Sequence, residues 1–470
     1  MKKAPQGSAV RPIYMPLTAE KAINLISGGV EISFFNAPLK DRKMNKRIVL
    51  VGAGSALFTR GMFGNLVVNP EFEDCTVVLM DVNPDILSLM ERYARKLIKD
   101  NNYGLRIEAV TSLGPALEGA DFVICTLAAN DQKARGIEIE VPLSFGYHHS
   151  WGDTTGPSGV FRALRHIPIF LEIAEEMERR CPEAWLLNFT NPMAALCRAV
   201  FLRSKIKILG FCDAPPYFRR LIEKEVLELP QGSLETKVAG VDHLVWFLEM
   251  RKNGEDLYPL FRERIGVLRK RFPATVKIFE TYGYYLSPGD EHMSEFFPFL
   301  LRNKKTMRRY HLKDMDVAWH RQRRIALIED IKEELESAGK ILPSPLPPEE
   351  EAIDIIRSIA NDERKEFVAS LPNRNVISNL PDYSIVEAPI NLGAGIHQQP
   401  PVFIPVHLTL PLQASIIKDE LVVGAALSGR QDLVFQAVLA CPLIYSIEQA
   451  RDITKAMIEA LKDYLPVRFV

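Results

Sequence analysis

Two side chains set the first chemical question. Cys212 closes the run KIKILGF, and His243 sits inside VDHLVW. Thiolate and imidazole are good metal ligands, and strand ends open into the crevice where ligands of α/β proteins bind. On residue type alone, Cys212 reads equally as a small buried apolar side chain. His243 reads equally as a core histidine with a satisfied ring. A second group is Gly52-Ala53-Gly54, with Ser55 after it, between the apolar run IVLV and a helical stretch. Glycines there permit a tight turn and close approach of a pyrophosphate, which rests on the helix N-terminus. The third glycine of the GxGxxG pattern is replaced by Leu57, so the fingerprint is incomplete. Asp81 ends the run TVVLMD, where a carboxylate accepts from both ribose hydroxyls and repels a 2′-phosphate. Gly52, Gly54, Ser55 and Asp81 therefore point to NAD rather than NADP. A third segment, NFTNP at 188–192, contributes Asn191.

The elements that must position these groups alternate. IVLVG after Arg47, TVVLMD, ADFVICTLA (120–128), AWLLNFTNP (184–192) and KIKILGFCDAP (205–215) read as buried parallel strands. Helices are predicted between them, at 57–68, 86–99 and 159–180. Strands alternating with helices predict an α/β fold, a Rossmann-like doubly wound parallel sheet. Beyond about 215 the alternation weakens, which predicts an α+β C-terminal domain. Helices are expected there at 257–272, 319–338, 412–427 and 447–465, with an extended region at 376–410. PSPLPPEEE (343–351) reads as a solvated connection. The expected organisation is an N-terminal extension (1–44), a nucleotide-binding domain (45–215) and an α+β domain (216–470) for substrate, metal and oligomerisation.

Composition narrows the class. The chain has 470 residues, with 58 basic and 59 acidic side chains and a formal charge of −1. That balance argues against a nucleic-acid partner and against a polybasic membrane-surface protein. No apolar run reaches the roughly 18 residues of a spanning helix. The six cysteines are scattered and form no CxxC pair, which fits a reducing cytoplasm. A soluble enzyme or a large binding protein remains.

The order of motifs decides between these. VGAGS, DTTGPSG (153–159), TNP, the Cys212-x-x-Pro215 segment, the HLVW segment, GYYLSPGDEHMSEF (283–296) and NLPDYSIVEAP (379–389) follow one another along the chain. Together they resemble glycoside hydrolase family 4, the NAD- and metal-dependent glycosidases. That family is similar in fold to lactate and malate dehydrogenases. The resemblance spans nearly everything from Lys46 to Pro466 and implies NAD and Mn²⁺, or another divalent ion, as cofactors. Cys212 and His243 match the family's metal ligands, with sugar O2 and O3 completing the shell. Asn191 matches the asparagine between nicotinamide and sugar. Asp213 stands where many members have histidine. Members with a Cys-Asp-x-Pro signature carry aspartate there and act on 6-phospho-α-glucosides. Asp242 replaces the commoner asparagine. The segment 283–296 instead resembles the α-galactosidase and uronidase branches, so a galactoside, glucoside or uronide substrate is expected.

The family chemistry implied is oxidation of the sugar at C3, removal of the C2 proton, elimination at C1, water addition and return of the hydride. Asp213 is the candidate acid, and Tyr284, Tyr285 and Asp290 are candidates for the C2 base. Arg135, His292 and Asn191 are candidate substrate ligands, and Arg302 is a further choice for a 6-phosphate. A small-molecule glycoside and a homodimeric or homotetrameric assembly are the expected partners. The alternatives are an NAD-dependent dehydrogenase of a hydroxy acid or sugar, and a 6-phospho-α-glucosidase of the same family.

Overall fold

The computed structural model describes residues 43–129, 131–347 and 350–469. The expected extension, 1–44, lies outside the described residues except for Lys43 and Met44. Met44 is buried, and its amide donates to Glu71 O at 2.8 Å.

Six parallel strands form the first half of the sheet. They are β1 (Arg47–Val51), β2 (Thr76–Met80), β3 (Arg106–Val110), β4 (Phe122–Cys125), β5 (Trp185–Asn188) and β6 (Lys207–Gly210), in spatial order β3-β2-β1-β4-β5-β6. This is the doubly wound dinucleotide order, with its switch point between β1 and β4. The apolar runs form strands because both sheet faces are covered: β4 and β5 are buried at every residue. β3 (RIEAV) was not expected. It is the edge strand, and its exposed Arg106 and Glu108 break the apolar run that marked the others.

The same sheet continues antiparallel past residue 215. β11 (Lys365–Pro372) pairs with β6, β12 (Ile385–Leu392) with β11, and β7 (Glu235–Val241) with β12. β8 (Leu244–Lys252) follows β7 and also pairs with the short β9 (Glu255–Asp256), and β10 (Tyr285–Ser287) closes the row. Lys43–Val470 forms one compact unit. Val241 pairs with Leu244, so Asp242 and His243 alone make the β7–β8 connection. Their φ values are 51° and 75°, the left-handed pair that a type I′ hairpin turn demands.

Several expectations change. The helix expected at 257–272 is Tyr258–Arg264 followed by a short 3₁₀ turn, Ile265–Leu268. Helices Asp131–Ser144 and Gln431–Leu439 were not expected. The proline-rich connection is not simply solvated. Leu346 and Ser344 lie against Gly61 and Gly64, where an added Cβ would approach them to 2.4 and 2.5 Å. Two glycines on the helix Ala56–Val67 thus let that connection lie directly on it. Among the described residues, no helix is long and apolar enough to cross a membrane, and all six cysteines are free.

Candidate active site

The strand ends of β1, β4, β5 and β6 surround a cavity of about 260 Å³. Ser55, Phe58, Thr126 and Leu127 line one end; Asp153, Asn191, Cys212, Asp213 and His243 line the other. At the first end Gly52 has φ 89°, and a Cβ there would meet the Leu127 backbone at 2.8 Å. A Cβ on Gly54 would sit 2.6 Å from the Asp81 carboxylate. Asp81 accepts from Gly54 N at 2.7 Å and from Asn83 N at 2.9 Å, which fixes its head beside the turn. Ser55, the N-cap of the helix Ala56–Val67, makes no side-chain cap bond and lines the cavity. These features fit a dinucleotide: a glycine cradle, an anchored acid and a helix N-terminus.

At the other end the hairpin turn carries His243 to Cys212. His243 Nδ1 lies 2.9 Å from Cys212 Sγ, and its Nε2 lies 2.8 Å from Asn191 Oδ1. Nε2–H donates to the asparagine oxygen, so the Nδ1 lone pair is turned toward the sulfur. Glu387, on β12, completes a donor set with these two, every ligand atom within 4.8 Å of the others. Its Oε2 accepts from His243 N at 2.9 Å, and its buried Oε1 has no hydrogen-bond partner among the described residues. Burial pushes the Cys212 thiol well above its ordinary value, with Asp213 and Glu387 adding to the shift. Burial likewise raises Glu387. A bound dication reverses both effects, so sulfur, nitrogen and oxygen here suit a divalent ion.

Asp153 was not singled out from the sequence, yet it ties the site together. It accepts from Trp151 Nε1 at 2.8 Å, Thr154 Oγ1 at 2.8 Å and Asn191 Nδ2 at 3.1 Å. Burial pushes its carboxyl upward, but His292, Arg135, Arg162 and His243 outweigh that and hold it well below the usual range. Glu295 builds its loop by accepting from the amides of Ser150, Trp151 and Gly152 at 2.8–3.0 Å. Both residues lie in quoted motifs, DTTGPSG and GYYLSPGDEHMSEF, but the bonds from Glu295 to the 150–152 amides span some 145 positions and leave no local signal. Glu350 also reaches the cavity wall, from the loop read as solvated.

The remaining candidates separate. His292 joins the site: its ring centroid is 4.9 Å from that of His243, and its Nε2 is 3.5 Å from Asp153 Oδ1. Arg135 is buried and donates to the carbonyls of Trp151 and Gly152, a support for the loop. Tyr285, Tyr284 and Asp290 do not line the cavity. Tyr285 is fully buried among Phe218, Phe247 and Phe261. Asp290 accepts from Ala274 N, Thr275 N and Thr275 Oγ1 at 2.7–2.9 Å, capping the helix Pro273–Tyr282. Tyr284 is half-buried against Tyr258 and His407. Arg302 is exposed.

Residues 47–228 match the family 4 glycosyl hydrolase model, and residues 238–444 match the model of the family 4 glycosyl hydrolase C-terminal domain. The chain belongs to glycosyl hydrolase family 4. It is 27% identical over 433 residues to an alpha-galactosidase of Bacillus subtilis, covering 90% of this chain and 99% of that one. It is 26% identical over 454 residues to an alpha-galacturonidase of Thermoanaerobacter italicus, covering 90% and 98%. A solved 6-phospho-alpha-glucosidase from gut microorganisms, in complex with NAD and Mn²⁺, shares its fold with a TM-score of 0.79 at 21% identity, covering 90% of this chain and 100% of that chain. The structure brings together Cys212 and His243, the two residues the motifs offered as metal-ligand candidates.

Proposed function

We propose that this family 4 enzyme hydrolyses an α-galactoside, α-glucoside or α-uronide with NAD and Mn²⁺ held in one cavity. The observation that carries the reading is His243 bridging Cys212 and Asn191 in the wall of a cavity that Ser55, next to the Gly52–Gly54 turn, also lines. The solved 6-phospho-alpha-glucosidase of the same fold is in complex with NAD and Mn²⁺, which supports both as resident groups here. A simple hydroxy-acid dehydrogenase needs no thiol–imidazole–carboxylate cluster, which favours the glycosidase over that rival.

Bound there, the nicotinamide supplies reversible oxidation at C3, and the ion supplies Lewis acidity at the developing carbonyl. The chain's own residues do the rest. Gly52, Gly54 and Ser55 receive the pyrophosphate, and Asp81 the ribose. Cys212, His243 and Glu387 hold the ion. Asn191, fixed by His243 and Asp153, orients the sugar between the two groups. His292 and Asp153 shape the wall beside it. Asp213, next to Cys212 at the start of the helix Ala214–Leu221, donates the proton to the leaving oxygen. The enzyme works in the cytoplasm as a closed homo-oligomer. The apolar surface for assembly includes Val406, Leu410 and Ile417, exposed along one helical stretch.

A panel of nitrophenyl glycosides, assayed with NAD⁺, Mn²⁺ and a thiol reductant, tests this reading. Cleavage of at least one α-glycoside, dependent on both groups, is expected. Turnover of none, with oxidation of a hydroxy acid instead, overturns it.

A further inference from the structure

We propose that Lys418 is a positioning residue for the metal site, bracing the turn that carries His243; this rests on the reading of Cys212 and His243 as metal ligands. Lys418 projects from the helix Thr409–Ser428 and is 2% exposed. Its Nζ donates to Thr154 O at 2.8 Å and to Asp242 Oδ2 at 3.3 Å, and lies 3.0 Å from Asp419 Oδ1. Asp242 accepts from Ala194 N at 3.1 Å through its other oxygen. Lys418 and Asp242 together therefore tie three segments of the cavity. They are the loop that presents Asp153, the helix that follows Asn191, and the turn that presents His243.

The turn needs such a brace. Both of its residues have positive φ, and His243 occupies a position that favours glycine. Strain of this kind persists only where surrounding contacts over-determine the backbone. Here the contacts are Asp242 on Ala194 N and Lys418, and His243 N on Glu387. The brace also accounts for a charged residue before the histidine. Asp242 is 1% exposed, and a buried carboxylate requires a counter-charge, which Lys418 brings from the C-terminal helix. Lys418 touches no ligand atom. It acts by fixing the backbone that aims Nδ1 at Sγ, as groups behind metal ligands generally do.

The test is a titration of the full chain with Mn²⁺, reading free ion by electron paramagnetic resonance, beside NAD⁺ calorimetry and thermal melting. Lys418→Met is made in an Asp419→Asn background so that no carboxylate loses its partner on that helix. Relative to Asp419→Asn alone, Mn²⁺ affinity should fall about tenfold or more while NAD⁺ affinity holds. Val422→Ala, buried on the same helix, should lower the melting temperature without moving Mn²⁺ affinity. If Lys418→Met does not fold, Lys418→Gln in the same background keeps most of the side-chain length, removes the charge and should weaken Mn²⁺ in the same direction. Unchanged Mn²⁺ affinity in the folded variant, or an equal loss in Val422→Ala, overturns the proposal. A wild-type chain that binds NAD⁺ but no Mn²⁺ overturns the metal reading itself.

Discussion

His243 Nδ1 faces Cys212 Sγ across 2.9 Å, although the two residues are 31 positions apart and belong to different strand ends. At that distance the thiol and the imidazole share a hydrogen bond. A dication held by Cys212 and His243 would displace the thiol proton.

Cys212→Ser removes the softest donor of the set. Changing even a supporting group typically costs ten- to a hundredfold in metal affinity, so losing this ligand should cost at least about a hundredfold. Mn²⁺ titration should show that loss, turnover should vanish, and NAD⁺ should bind as before. Full activity would remove Cys212 from the site.

Cofactor choice rests on Asp81. Its carboxylate is already fixed by Gly54 N and Asn83 N, so it meets a ribose without reorganising. NAD⁺ should bind far better than NADP⁺ in calorimetric titration. Asp81→Ala should cost about 1.5–3 kcal/mol of NAD⁺ affinity, the worth of hydrogen bonds to a charged group, and narrow the gap between the two cofactors. Equal affinities in the wild type would refute the assignment.

Asp153 gives the acid limb of stability a definite sign. Its folded value lies below the unfolded value of about 3.9, because the positive charges around it outweigh burial. Its contribution is therefore complete above that unfolded value and lost as pH falls through it toward the folded one. Urea unfolding between pH 5 and about pH 3 should show a steeper loss in the wild type than in Asp153→Asn. Parallel curves would contradict the charge environment described.

Two residues of the GYYLSPGDE segment should behave as structure. Tyr285 Oη is buried and finds no hydrogen-bond partner among the described residues. Tyr285→Phe should keep turnover and melting temperature. Asp290→Ala removes a helix cap and should cost about 1–2 kcal/mol in chemical denaturation. A collapse of kcat in Tyr285→Phe would return that tyrosine to the chemistry.

The sequence was legible where the physics is local. Runs such as IVLV and VVLM announce buried parallel strands because both faces are covered. The Gly52–Gly54 turn and Asp81 announce the cradle because backbone approach and ribose contact demand those residue types. Cys212 and His243 could be singled out by residue type and motif. Their meeting depends on the β7–β8 hairpin joining the sheet through β12 and β11, pairings that no local pattern encodes. The same holds for Asp153, whose loop is built by Glu295 from far along the chain. Asp290 looked chemical for the converse reason. Two of its three partners, Ala274 N and Thr275 N, are backbone groups, and no sequence displays them.

The central claim is cleavage through oxidation at C3, and isotope exchange at C2 tests it most directly. Direct displacement at C1 leaves the C2–H bond intact, whereas the redox route removes that proton and restores one from solvent or from the protonated base. Turnover in D₂O should release a monosaccharide carrying deuterium at C2, with NAD⁺ needed only in catalytic quantity and no accumulation of NADH. Proton NMR of the product gives the answer. Full protium at C2, or NADH formed in step with product, would contradict the account.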